Sequence, residues 1–230
     1  MLGWLAGKIY EALFTDVESG AKKTHILVKT VFTITILVCV GIGLYQSVAG
    51  LIMVVIVMLL SGLASIIPPV LIISSIPALW FSLSNAILLS LNGEFNHIAV
   101  IEVYVRALTA SAAILLLIAA LNPYELSRIL YRLGLRKQSL IPIMVWRLMP
   151  LALRDVVEAY GIQKLKNQAL WKSIAISTAS MLEKSDMILE SNGLKLEVGV
   201  VEPLPYEYSM KYTLLFSAAT MLVILLILFY

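Results

Sequence analysis

From Lys29 to Glu94 the chain runs through 64 consecutive residues without an Asp, Glu, Lys or Arg. A membrane span needs about 20 predominantly apolar residues, so this run holds three spans and the turns between them. Residues 107–124 and 212–230 are also free of charge. The pattern predicts spans over roughly 27–45, 48–65, 69–91, 98–121 and 211–230. That is an all-α integral membrane protein of about five transmembrane helices. Polar residues and helix breakers place the turns at Gln46-Ser47, Pro68-Pro69 and Asn92-Gly93. Pro77, inside the third span, is expected to kink it.

The polar positions concentrate elsewhere. Residues 125–211 carry 21 of the 31 charged side chains, yet they are not uniformly polar. Over 140–160 the only charged positions are Arg147, Arg154, Asp155 and Glu158. At about 100° per residue these share one sector, which predicts a helix apolar over most of its circumference. Pro150 should bend it and Gly161 should end it. A second long helix is predicted from about Gln168 to Asn192, with Lys172, Glu183, Asp186 and Glu190 on one side and Gly193 as its stop. A short helix precedes both, from Pro123 after the N-cap Asn122 to Gly134. Residues 194–201 alternate apolar and polar, the period of an extended segment. Near the start, Leu2, Leu5, Ile9 and Leu13 form one helical stripe, with Trp4 and Tyr10 beside it. Such a stripe suits a helix lying in the membrane interface. The expected organisation is an amphipathic segment over 1–25, a four-helix membrane core over 26–121, a cytoplasmic section over 122–210 and a last transmembrane helix over 211–230.

Composition sharpens this picture. The chain is 60% hydrophobic and 13% charged, against about 45–50% and 25% in soluble domains, which excludes an ordinary water-soluble fold. The net charge of +3 is too small to imply nucleic acid. Lys8, Lys22, Lys23 and Lys29 precede the first span and Arg128 to Lys172 follow the fourth, whereas the 91–97 loop has no Lys or Arg. The positive-inside rule then sets both basic regions in the cytoplasm. The N-terminus falls inside the cell, the C-terminus outside, and the chain is a multi-pass protein of the cell membrane. The N-terminal sequence lacks the apolar core and cleavage site of a secretory signal. Cys39, the single cysteine, reads as a buried thiol. His25 and His97 stand alone, and no Cys/His cluster, phosphate-binding loop or nucleophile motif occurs. No catalytic, cofactor-binding or metal-binding residues are therefore expected, and the chain is not read as an enzyme. Glu102 and Arg106, four apart, are expected to form a structural ion pair on the fourth span.

The residues that follow the fourth span resemble a known family. NPYELSRILYRLGL (122–135), IPIMVWRLMPLALRDVVEAYGIQKLK (141–166) and ILESNGLKL (188–196) are similar to the transmembrane T component of energy-coupling factor transporters, which include cobalt-transport permeases. The resemblance covers roughly residues 120–197. His25-Ile-Leu-Val-Lys29 also looks like that family's His-Pro-Leu-x-Lys start to its first span, with Ile26 in place of Pro. It implies long amphipathic coupling helices that carry the motion of two ATP-binding-cassette ATPase subunits to a separate substrate-binding membrane protein for vitamin or metal-ion uptake. In the family each coupling helix ends in an Ala-Arg-Gly motif docked in a groove on one ATPase. By position these motifs are Ala159-Tyr160-Gly161 and Ser191-Asn192-Gly193. Both glycines are retained and both arginines are replaced, so the cationic part of that contact is missing.

Two other classes fit an apolar chain of this kind. A membrane-embedded lipid-modifying enzyme would place carboxylate or histidine clusters at the membrane face, and Asp155 and Glu158 stand without a histidine. A self-contained secondary transporter would show internal repeats or paired broken helices, of which only Ser74-Ser75 and Pro77 give a hint.

Overall fold

The computed structural model describes residues 19–93, 95–135, 138–146, 148–149, 151, 154–155, 158, 179, 182–183, 186 and 207–229. Among them every regular element is helical. They fall into two compact units, one holding the described residues up to Leu121 together with those from Glu207 onward, the other those from Asn122 to residue 186.

The first unit is a bundle of five apolar helices: α1 Ile26–Ile42, α2 Leu44–Leu60, α3 Ile67–Leu91, α4 His97–Ala120 and, late in the chain, a helix Met210–Phe229. Three are long and apolar enough to cross a membrane: α3 with the 3-10 turn that precedes it (Ala64–Leu91, 28 residues), α4 (24 residues) and Met210–Phe229 (20 residues). The helices α1 and α2 have 17 residues each, about 25 Å at 1.5 Å per residue, just under the usual length of a span.

Two of the turns differ from the sequence expectation. The first lies at Gly43, a single extended residue between α1 and α2, and not at Gln46-Ser47. Ser47 sits one turn inside α2, where its hydroxyl donates to the Gly43 carbonyl at 2.7 Å. A serine satisfied by its own helix can be fully buried, as this one is. The second turn comes earlier than expected. The helix α2 stops at Leu60, not 65, because Ser61-Gly62-Leu63 forms a Schellman end: Leu63 N–H donates to the Met58 carbonyl at 2.9 Å and Gly62, at φ +83°, takes the left-handed position. Pro68 and Pro69 then occupy the first turn of α3, where no intrahelical donor is required of them. The third turn is at Asn92-Gly93 as expected.

The helix α4 is central, packed on α1, α2 and α3, while Met210–Phe229 packs on α1 and α2. Small residues make this possible: Thr109, Ala112, Ala113, Ala119 and Ala120 form its buried side, letting backbones approach. At the crossing with α2, a Cβ on Gly50 would meet Thr109 Cγ2 at 3.4 Å, and the Thr109 hydroxyl donates to the Ser47 carbonyl at 3.1 Å. Phe32 and Phe216 meet edge to face at 5.6 Å between α1 and the last helix. Outside, large apolar side chains such as Trp80, Ile98 and Leu228 are exposed, the inverse of a water-soluble surface.

In the second unit, α5 spans Pro123–Arg132, which makes Met210–Phe229 α6. Asn122 caps α5, its side-chain oxygen accepting from Tyr124 N–H at 2.9 Å, with Pro123 at its first position. Leu135 N–H donates to the Leu130 carbonyl at 3.0 Å, and Gly134 at φ +83° closes a second Schellman end. A 3-10 turn, Gln138–Leu140, follows. Residues 141–146, 148–149, 151, 154–155 and 158 are helical, as are 179, 182–183 and 186. The expected extended segment 194–201 and the stripe of Leu2, Leu5, Ile9 and Leu13 lie outside the described residues.

Candidate functional site

The bundle has one basic end, and the chain knots itself there. Residues 19–24 turn back on themselves through Lys22 N–H to Ser19 O, Lys23 N–H to Gly20 O and Thr24 N–H to Ala21 O. Ala21 N–H also reaches the Ser61 carbonyl at 3.3 Å, tying this loop to the end of α2. Ser209 N–H donates to the Lys23 carbonyl at 2.9 Å, which brings the start of α6 to the same place. The loop is tight enough that a Cβ on Gly20 would fall within 2.4 Å of the Tyr212 ring, so only glycine leaves room for that ring.

Lys29 sits at the centre. It is 1% exposed, an unusual state for a lysine. Its ammonium donates to the Ala120 carbonyl, the last of α4, at 2.8 Å and to the Lys22 carbonyl at 3.3 Å. A cation is well placed at a helix C-terminus, where the unsatisfied carbonyls carry negative partial charge. One side chain thus joins α1, the 19–24 loop and the end of α4. His25 caps α1 by accepting from Leu27 N–H at Nδ1, 3.2 Å away, and its ring lies 5.0 Å from that of Tyr208. The His25-to-Lys29 segment singled out in the sequence is therefore the local hub of the basic end. The sequence does not announce the burial of Lys29, because Ala120 is 91 positions away.

Arg106 and Glu102 form the expected ion pair on α4, at 2.5 Å, with about a third of each side chain exposed. In the second unit Arg154 Nε donates to Glu158 at 2.7 Å on an exposed helix face. That carboxylate raises the Arg154 pKa above its usual value, so the guanidinium stays protonated. On the same stretch Ile141, Val145 and Met149 recur every four residues and are all exposed, an apolar stripe that no described residue covers. Among the described residues no group of three His, Cys, Asp or Glu comes together as a metal site would require.

The six residues expected to dock on ATPases, Ala159, Tyr160, Gly161, Ser191, Asn192 and Gly193, lie outside the described residues. Glu158, beside the first of these motifs, is helical and exposed. Compared with protein-family models, curated proteins and solved structures, the chain gives no match.

Proposed function

We propose that this chain is the transmembrane coupling subunit of an energy-coupling-factor importer of the ATP-binding-cassette class. In this reading all five apolar helices span the cell membrane, with the N-terminus in the cytoplasm and the C-terminus outside. Section 122–210 lies in the cytoplasm and carries the motion of two ATPase subunits to a separate substrate-binding membrane protein for a vitamin or transition-metal ion. The observation that carries the reading is the exposed stripe of Ile141, Val145 and Met149. It lies on the helical stretch that resembles the family's first coupling helix, and an exposed apolar stripe outside the spans calls for a protein partner. The resemblance adds the two helix ends at Ala159-Tyr160-Gly161 and Ser191-Asn192-Gly193 as ATPase contacts.

The test is co-purification of the tagged full chain from native membranes in mild detergent. Two ATP-binding-cassette subunits and a small membrane protein should come with it, and the chain stripped of partners should hydrolyse no ATP. The A159E/S191E variant should lose the ATPases, because the new carboxylates are unpaired in a closed groove and sit at helix ends that are already negative. ATP hydrolysis by the isolated chain, or unchanged ATPase retention by that variant, overturns the coupling role or its docking residues respectively.

A further inference from the structure

The basic end also presents an outer face that the Lys29 hub does not use. We propose that this face, formed by the starts of α1 and α6, is a binding site for the phosphate of an anionic phospholipid in the adjoining leaflet. The inference rests on the reading of α1 and α6 as membrane-embedded, with the basic end at the membrane surface.

Four observations carry it. The Ser209–Lys23 backbone bond at 2.9 Å makes neighbours of two segments far apart in sequence, and each contributes an exposed lysine, Lys23 and Lys211. Lys22 is buried, so among the described residues of these two segments Lys23 and Lys211 are the exposed cations. His25 adds a donor: its Nδ1 accepts from Leu27 N–H, so in the neutral ring the proton is on Nε2. Tyrosines flank the cations, with Tyr208 stacked 5.0 Å from His25 and Tyr212 under the Lys211 ammonium at 5.7 Å. Tyrosine beside lysine at the end of an apolar helix is the arrangement of a membrane–water interface. Within one turn of these groups, Leu27 on α1 and Leu214 on α6 are 66% and 61% exposed. They offer alkyl surface to an acyl chain whose phosphate lies between the lysines. The described carboxylate of this stretch is Glu207, exposed at the start of the 207–213 segment. With two lysines and one carboxylate among its described residues the face is cationic, which suits a monoanionic headgroup.

The probe is dioleoylphosphatidylglycerol, with dioleoylphosphatidylcholine and inorganic phosphate as comparison arms, titrated into the purified full chain in a neutral detergent. Bound lipid is counted by native mass spectrometry. The chain should retain phosphatidylglycerol in preference to phosphatidylcholine, and millimolar phosphate should not displace it. A lysine near the surface contributes about five-fold to binding an anionic lipid. K23Q/K211Q should therefore lower affinity for phosphatidylglycerol about 25-fold, with circular dichroism and elution volume unchanged because both side chains are exposed. R132Q/R154Q removes the same charge from the other unit and should leave that affinity within about two-fold, less than the effect of a single surface lysine. Equal retention of both lipids, competition by inorganic phosphate, or equal losses in the two variants would each overturn the lipid site. ATPase co-purification by K23Q/K211Q is read separately, so the coupling reading stands or falls on its own result.

Discussion

At the scale of the residue, Lys29 illustrates what a membrane-like interior demands. An ammonium with 1% exposure needs polar partners; two carbonyl oxygens accept from it, and one of them ends α4 where no helical donor is left. Lys29→Met keeps the length of the side chain and removes the donor. It also removes the cost of burying the charge, but the two carbonyls lose their partner, and hydrogen bonds from an ionised donor contribute about 1.5–3 kcal/mol. The variant should lose about 1–3 kcal/mol, the penalty of leaving buried acceptors unsatisfied, seen as a lower midpoint in detergent-induced unfolding. An unchanged midpoint would show that the hub does not hold the basic end together. Local residues were more legible than this one. Asn122, Pro123 and Gly134 could be read directly from the chain because a cap is made by neighbours within five positions. The Ala120 carbonyl reaches Lys29 through the packing of α1 on α4, and the residues between them say nothing of it.

At the scale of the element, the positions of the helices followed from the absence of charge, and their ends did not. Hydropathy locates a span because lipid leaves no other solution for the backbone. It says little about where a helix stops, since a serine can point its hydroxyl back to a carbonyl of the preceding turn. Ser47, Thr33 and Thr220 all do so, and so polar residues inside apolar runs are poor turn markers here. The proline pair misled for a related reason: at the start of α3 it begins a helix and does not interrupt one. The glycine in Ser61-Gly62 was the better signal. Its φ of +83° is unfavourable for any residue with a Cβ, while a Cβ there would have its nearest neighbour, Gly20 N, at 4.0 Å. The cost of Gly62→Ala is therefore conformational and not steric, about 1–2 kcal/mol. Thermal melting of the variant in detergent should fall accordingly, and Gly41→Ala, inside α1 with open space around it, serves as the control that should melt no lower than the natural chain, since a helix interior favours alanine over glycine. Equal melting of the two variants would mean that the end of α2 is not fixed by its glycine.

At the scale of the whole molecule, the alternation of helices is tied to one measurable consequence. Hydrogen bonds place the start of α1, the end of α2, the end of α4 and the start of α6 at the basic end, while Gly43 and the α3–α4 turn close helices that run away from it. This much follows from the charge-free runs and the turns. The proposed docking residues do not, because they rest on a resemblance and lie outside the described residues. Which side of the membrane the basic end faces rests on the Lys/Arg asymmetry alone, and a labelling experiment reads it directly. The chain has one cysteine, Cys39, and it is buried, so Cys39→Ala gives a clean background. Phe95, in the α3–α4 turn, is 51% exposed and stands beside the cap residue Asn96 without taking part in the cap. Gln138 is exposed in the 3-10 turn that follows α5. Phe95→Cys should react with a membrane-impermeant maleimide in intact cells, and Gln138→Cys only after the cells are opened. About 36 Å of α4, at 1.5 Å per residue over its 24 residues, separates the α3–α4 turn from the residues that lead into α5. That exceeds the hydrocarbon thickness of about 30 Å, so a helix that spans the membrane must report the two cysteines on opposite sides. Labelling of both in intact cells would rule out α4 as a span, and the reverse pattern would invert the proposed topology and put section 122–210 outside the cell.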